Sequence, residues 1–142
     1  MKEIVDILVI GAGPSGCVSS AYLQQQGIKV KVVEKAKFPR FVIGESLIPR
    51  VMDNFDEAGL FPPLDRMGFE KKLGARFIRG KDICTFDFSD KFGEGWDWTW
   101  QVPRADFDNT LATAAQDLGV DIEFETEVEA VEFNGSDSIT TV

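Results

Sequence analysis

Histidine is missing from this 142-residue chain. Its absence removes the commonest metal ligand and the commonest general base near neutral pH, so any chemistry falls to carboxylates, lysine or a bound cofactor. Cysteine is scarce: Cys17 and Cys84 are the whole supply, far apart and in neither a metal spacing nor a disulfide framework. They read as two reduced thiols used as small packing residues, and no metal site is expected. No apolar run approaches the roughly eighteen residues of a membrane-spanning helix. The opening MKEIVDILVI is too short and too acidic for a signal peptide, so the expectation is a soluble, cytoplasmic protein. Positive charge is in short supply too, with 15 Lys and Arg against 24 Asp and Glu, a net charge of −9. That balance argues against a nucleic-acid partner, because phosphate backbones need clustered basic residues. It still permits one phosphorylated small molecule, which a few arginines and a helix N-terminus can hold locally.

What is present is an ordinary globular mixture, 44% hydrophobic and 27% charged, at a length typical of one domain. Residues 4 to 10, IVDILVI, form an apolar and β-branched run broken only by Asp6, the pattern of a central parallel strand buried on both faces. GAGPSG follows, then the helical CVSSAYLQQQ with Gly27 as its stop, then a second strand, IKVKVV, ending at Glu34. The first 34 residues thus predict one βαβ unit. Leu47, Val51 and Phe55 at i, i+4, i+8 predict an amphipathic helix ending near Gly59, and residues 61 to 72 read as irregular or briefly helical. ARFIRG, ICTFDFS and WDWTWQV predict a small antiparallel sheet inserted at about 73–103. RADFDNTLATAAQDL predicts a helix over 104–118. VDIEF, EVEAVEF and SITTV are further strands, the last two joined by an Asn-Gly turn at 134 and 135.

A glycine triplet alone is weak, so its surroundings decide. Gly11, Gly13 and Gly16 follow a strand and open a helix, Ser20 is the small residue four positions on, and Glu34 closes the second strand. The three glycines suit a tight turn, close backbone approach to a pyrophosphate, and close packing of helix on strand. The helix dipole and its free first-turn N–H groups would hold the pyrophosphate, while Glu34 would accept from a ribose hydroxyl pair. A carboxylate there disfavours a ribose 2′-phosphate, which leaves FAD or NAD rather than NADP. An ordinary NAD-binding dehydrogenase domain fits less well, because the irregular Gly44–Ser46 region and the antiparallel insertion stand where a second βαβ half belongs.

GAGPSG, the glutamate of VVEK and the stretch FPRFVIGESL together resemble the N-terminal part of FAD-dependent oxidoreductases of the para-hydroxybenzoate hydroxylase superfamily. FPR followed by IGESL most resembles the branch with flavin-dependent halogenases, geranylgeranyl reductases and flavoprotein dehydrogenases. WQVPRADFDNTLATAAQDLGV is similar to that branch's strand and helix whose arginine faces the flavin nucleotide. The resemblance implies a Rossmann-like α/β FAD-binding domain in which Gly11, Ala12, Gly13, Pro14, Ser15 and Gly16 wrap the pyrophosphate and Glu34 with Lys35 meets the adenosine ribose. It further implies that Arg40, Gly44, Glu45 and Ser46 line the ribityl chain and flavin ring, and that Gln101 and Arg104 approach the diphosphate and ribityl region. Val128 matches the position whose backbone meets the adenine. Arg40 and Arg104 have a plain alternative as solvated surface arginines. The family's downstream Gly-Asp motif has no counterpart here, so residues 1–142 are expected to be the N-terminal part of a longer flavoprotein whose substrate domain lies elsewhere.

Lys72, in KKLGARF, resembles the halogenase lysine proposed to handle hypohalous acid, with a solvated lysine of a Lys-Lys pair as the alternative. WTWQVP approximates the halogenase WxWxIP pattern, but that motif lies much further along the family's chains, so Trp98 and Trp100 read as aromatic residues of a strand, alternating with Thr99 and Gln101. The functional expectation is an FAD-dependent oxidoreductase acting on an apolar organic substrate, with dehydrogenase or reductase ranked first, then monooxygenase, then halogenase. Electrons from NAD(P)H or a flavin reductase go with that reading. A fragment that holds FAD or NAD without catalysis is the competing class.

Overall fold

The computed structural model of the chain describes residues 3–142. Strand β1 (Ile7–Ile10) leads through the glycine turn into helix α1 (Pro14–Gln25), and strand β2 (Val30–Glu34) returns parallel to β1, pairing Ile7 with Val30 and Ile10 with Val33. Gly27, at φ +77, turns the chain out of α1, a left-handed conformation that glycine adopts without a Cβ penalty. Helix α2 (Arg50–Glu57), the short helix α3 (Phe61–Asp65) and strands β3 (Glu70–Lys72), β4 (Gly74–Arg79), β5 (Asp82–Asp87) and β6 (Thr99–Gln101) come next. Helix α4 (Arg104–Asp117) then leads to β7 (Asp121–Phe124), and β8 (Ala130–Asn134) and β9 (Asp137–Thr141) complete the order. β7 joins the parallel sheet on the far side of β2, giving the order β1-β2-β7. The Rossmann-like α/β fold holds.

The core lies where α1 and α4 pack together over this sheet, with α2 and α3 beside them. Ala21 and Cys17 of α1 meet a wall of Phe107, Leu111 and Ala115 from α4, Met52 and Phe55 from α2, and Leu60, Leu64 and Trp100, all essentially buried. Aromatic rings give this region its shape: Trp100 stacks on Phe61 at 5.4 Å between centroids, and Phe55 meets Phe107 edge-on at 5.8 Å.

Several elements differ from expectation, each for a physical reason. β1 is not central: among the described residues it has β2 on one side and no strand on the other, and Ile10 is exposed. The helix expected from Leu47 begins only at Arg50, because Leu47 N–H donates to Trp100 O (3.3 Å) and Ser46 bridges Gln101, drawing 46–47 into antiparallel pairing with β6. The antiparallel insertion is two separate ladders, a β4–β5 hairpin and a β3–β6 pair that starts at Glu70, ahead of the expected boundary. The Trp98–Trp100 alternation fails, since Thr99 and Trp100 are both buried and only 99–101 are strand. The last turn is shifted by one residue: Asn134 pairs with Asp137, which makes Gly135, at φ +65, and Ser136 the central pair. Cys17 is a packing residue, whereas Cys84 is exposed on β5.

Candidate functional site

The glycine turn is built by backbone geometry and fastened by β2. Gly11 has φ +100, and its N–H donates to Val33 O at 2.7 Å, so the chain reverses tightly at the end of β1. A Cβ on Gly16 would collide with the Gly11 carbonyl oxygen, which is why α1 needs glycine there to lie against the turn. Ser20 Oγ, buried, donates back to Gly16 O at 2.6 Å. Gly13 is the N-cap, in extended conformation, with Pro14 in the first turn and Ser15 exposed. No side chain caps α1 and no acidic residue lies in its first turn. The positive end of the helix dipole and its free N–H groups are therefore open to an anion.

Glu34 sits 5% exposed at the end of β2, and both its oxygens are engaged. Oε2 accepts from Ala12 N–H and Oε1 from Ala36 N–H, each at 2.9 Å. The carboxylate thus clasps the glycine turn to the segment after β2, and its remaining lone pairs keep capacity for further donors. Glu34 forms one wall of a cavity of about 560 Å³, together with Ile10, Gly11, Lys35, Arg40, Val42, Thr126, Glu127 and Val128. Five residues singled out from the sequence, Gly11, Glu34, Lys35, Arg40 and Val128, meet in this one space. Lys35 faces Glu127 across 3.8 Å at its exposed rim.

Neither arginine is a free surface residue. Arg40 lays its guanidinium over the Phe38 ring at 4.5 Å, and its Nη2 is 3.7 Å from where a Gly13 Cβ would stand. Its Nε is 3.8 Å from Glu34 Oε1, and its Nη1 is 3.2 Å from Asp108 Oδ2. That second approach is an ion pair without hydrogen-bond geometry: Arg40 Nη1 is buried and has no hydrogen-bond partner among the described residues. Arg104 is the opposite case. Its Nε and Nη2 form a fork on Asp108 at 2.7 and 2.9 Å, and its Nη1 donates to the carbonyls of Ile43 and Gly44 at 3.3 and 3.2 Å. Donating hydrogen bonds to the Asp108 carboxylate raises the Arg104 pKa above its already high ordinary value.

Asp108, fully buried between the two arginines, is the residue at this site that the sequence reading missed. The one local signal was the Arg104–Asp108 pair four residues apart on a helix. Beneath it, Cys17 donates its thiol to Ala12 O at 3.1 Å. Burial, followed by the negative charges of Asp108 and Glu34, pushes this thiol up to about 12.

The Gly44–Ser46 segment is exposed and held from outside itself. Gly44 has φ +110, and a Cβ there would stand 3.3 Å from Arg104 Nη1. Glu45 O accepts from Val102 N–H at 2.9 Å, and Gln101, itself exposed, pairs with Ser46 through its backbone. Lys72 is partly buried, not a solvated member of a Lys-Lys pair: its Nζ donates to Leu47 O at 2.9 Å and lies 5.2 Å from the Phe88 ring centroid. Ser46 and Lys72 border a second groove, about 720 Å³, with Ile48, Phe77, Phe86, Phe88 and Trp96 in its walls. The structure brings five sequence-derived residues to the glycine-turn cavity and two, Ser46 and Lys72, to the aromatic groove, while the Arg40–Asp108–Arg104 contacts connect the cavity to the Gly44 backbone.

A strand, glycine turn and uncapped helix with a clasping glutamate define a dinucleotide-binding flavoprotein domain. The chain belongs to the FAD-binding domain family, whose sequence profile matches residues 4–142. It is 36% identical over 129 residues to the tryptophan 2-halogenase of Chondromyces crocatus, which covers 91% of this chain and 24% of that protein. The crystal structure of a flavoprotein/dehydrogenase from Cytophaga hutchinsonii superposes with a TM-score of 0.91 at 56% identity, over 97% of this chain and 34% of that one. The myxobacterial chondrochloren halogenase, an FAD-dependent halogenase, gives 0.83 at 33% identity over 94% and 31%. The chain therefore spans about a quarter of the length of the curated relatives it matches. The cofactor of this domain is FAD. The residues present fit it: Arg40 Nη2 stands 3.7 Å from where a Gly13 Cβ would be, at an uncapped helix N-terminus whose N–H groups suit a diphosphate. Among the described residues no helix is long and apolar enough to cross a membrane.

Proposed function

We propose that this chain is the FAD-binding part of a flavin-dependent oxidoreductase of dehydrogenase or reductase type acting on an apolar organic substrate. The observation that carries the reading is the convergence of the uncapped α1 N-terminus, Gly13 and Arg40 Nη2 on one point. Bound FAD supplies the redox chemistry, and the protein supplies binding and orientation. In this reading Gly11, Ala12, Gly13, Pro14, Ser15 and Gly16 hold the diphosphate, and Glu34, Lys35 and Val128 surround the adenosine. Gly44, Glu45, Ser46 and Gln101 face the ribityl chain and ring. Arg104 acts at one remove, fixing the Gly44 carbonyl rather than a phosphate. The aromatic groove supports an organic substrate with an apolar part, because Ile48 and four rings share its lining with charged residues such as Arg50, Asp53, Lys72 and Asp87. The substrate-covering remainder of the enzyme lies outside residues 1–142, in keeping with the quarter-length match. NAD(P)H or a flavin reductase is the electron source in this proposal.

A second reading, a halogenase, is favoured by one local observation: Lys72 Nζ is partly buried at the wall of the aromatic groove. The curated relatives named halogenases point the same way. Absorbance of the purified chain after addition of FAD and gel filtration tests the first reading. Retained blue absorbance is expected, and colourless protein that cannot be reconstituted would overturn it. Halogenated product from reduced flavin and chloride, made by the full-length enzyme and lost in Lys72→Ala, would move the assignment to the halogenase.

A further inference from the structure

We propose that Asp108 is a positioning residue for the FAD diphosphate, acting through Arg40; this rests on the glycine turn being the diphosphate site. Asp108 sits in the second turn of α4 with no exposed surface, and one carboxylate there faces two guanidinium groups. Arg104 takes both oxygens in a fork, and its third nitrogen ends on the Ile43 and Gly44 carbonyls, so all three of its nitrogens are engaged. Arg40 shares only Oδ2, at 3.2 Å, and keeps its Nη1 without a hydrogen bond. Its plane rests on Phe38, and its other terminal nitrogen stands in front of Gly13. Three fixed points therefore aim Arg40: an aromatic floor, the Glu34 carboxylate along its Nε, and Asp108 at its tip. Of these only Asp108 also holds the helix that braces Gly44. One side chain thereby sets the arginine of the diphosphate end and the arginine behind the flavin-side segment at a fixed separation.

Counting charge and positioning geometry predict opposite outcomes for the same substitution. If Asp108 served only as a nearby negative charge, removing it would tighten the binding of an anion. If it aims Arg40, its loss frees the guanidinium and puts an amide N–H₂ where an acceptor stood, which weakens binding of the diphosphate.

The test is fluorescence titration of the full chain and Asp108→Asn with FAD, ADP and adenosine, with circular dichroism as the control for folding. The expected result is a loss of about tenfold or more for FAD and ADP, the size of a lost charge-assisted hydrogen bond, with adenosine unchanged. In the double variant with Arg40→Gln the losses should not add, since both act on one contact. Equal or tighter FAD and ADP binding in Asp108→Asn, or an equal loss for adenosine, would overturn the proposal. Should Asp108→Asn not fold, Asp108→Glu keeps the charge and shifts the carboxylate by one methylene. The same selective loss is then expected, and unchanged affinity refutes it. A wild-type chain that binds ADP but not FAD would overturn the flavin reading, while the ADP comparison still decides the role of Asp108.

Discussion

The glycine turn and the Gly44–Ser46 segment both present backbone to the proposed path of the cofactor, yet they are built in opposite ways. Local geometry makes the first: Gly11 is hydrogen-bonded to Val33, Ala12 to Glu34 and Cys17 to Gly13, all within one βαβ unit. Distant residues prop the second, with Gln101, Val102 and Arg104 reaching in and Lys72 holding the adjacent Leu47, while Phe41 and Ile43 remain exposed. A turn closed on itself fails when its own residues change. A segment held from outside fails when its supports do.

Three expected outcomes break or sharpen that contrast. The largest belongs to Gly16→Val, since the added side chain must push α1 off the backbone oxygen of Gly11. A destabilisation of about 3 kcal/mol is expected from overpacking at a site where neither partner can yield, read as a lowered urea midpoint. Wild-type stability would show that the turn is not closed on itself. Gly44→Ala comes next. Its φ of +110 and the Arg104 Nη1 contact at 3.3 Å make any side chain strained. Strain of about 1–3 kcal/mol should appear mainly as weaker FAD binding, with a small change in unfolding, because this segment is exposed. A melting temperature that falls as far as in Gly16→Val would show the segment to be part of the cooperative core.

The smallest effect concerns thiols. Cys17, pushed up to about 12, should not react with a disulfide reagent at neutral pH, while exposed Cys84 should react at once. Because the folded-state value is raised, the unfolded chain sheds this proton first. The thiol's contribution to stability is then complete below the ordinary value of 9.0 and declines from there to about 12. Cys17→Ala should flatten alkaline destabilisation across that window. Two equally reactive thiols in the folded chain would contradict a sealed turn.

The same contrast explains what could be read in advance. The glycine turn was legible because its requirements are met by residues at fixed short spacing, from Gly11 through Ser20 to Glu34. The start of α2 was misjudged because the periodicity of Leu47, Val51 and Phe55 cannot reveal that Trp100, far along the chain, captures Leu47 N–H. Asp108 escaped for the same reason. Its i, i+4 partner Arg104 is local, but its meaning comes from Arg40, which only the fold brings near. The apolar run of β1 was read correctly as sheet, while its having a single neighbour, β2, among the described residues depends on pairing that composition does not encode.

Glu34 carries a consequence for how such a domain can diverge. Its two oxygens accept from Ala12 N–H in the glycine turn and Ala36 N–H after β2, so the residue proposed to meet the ribose is also a rivet in the backbone. A lineage drifting towards a phosphorylated ribose would have to discard the carboxylate, and in doing so would unfasten Ala12 from β2. Under the proposed role of Glu34, preference for the nucleotide and the shape of the turn are inherited as a single trait. Passage from one cofactor to another at this position requires a replacement fastener to arise before the glutamate is lost.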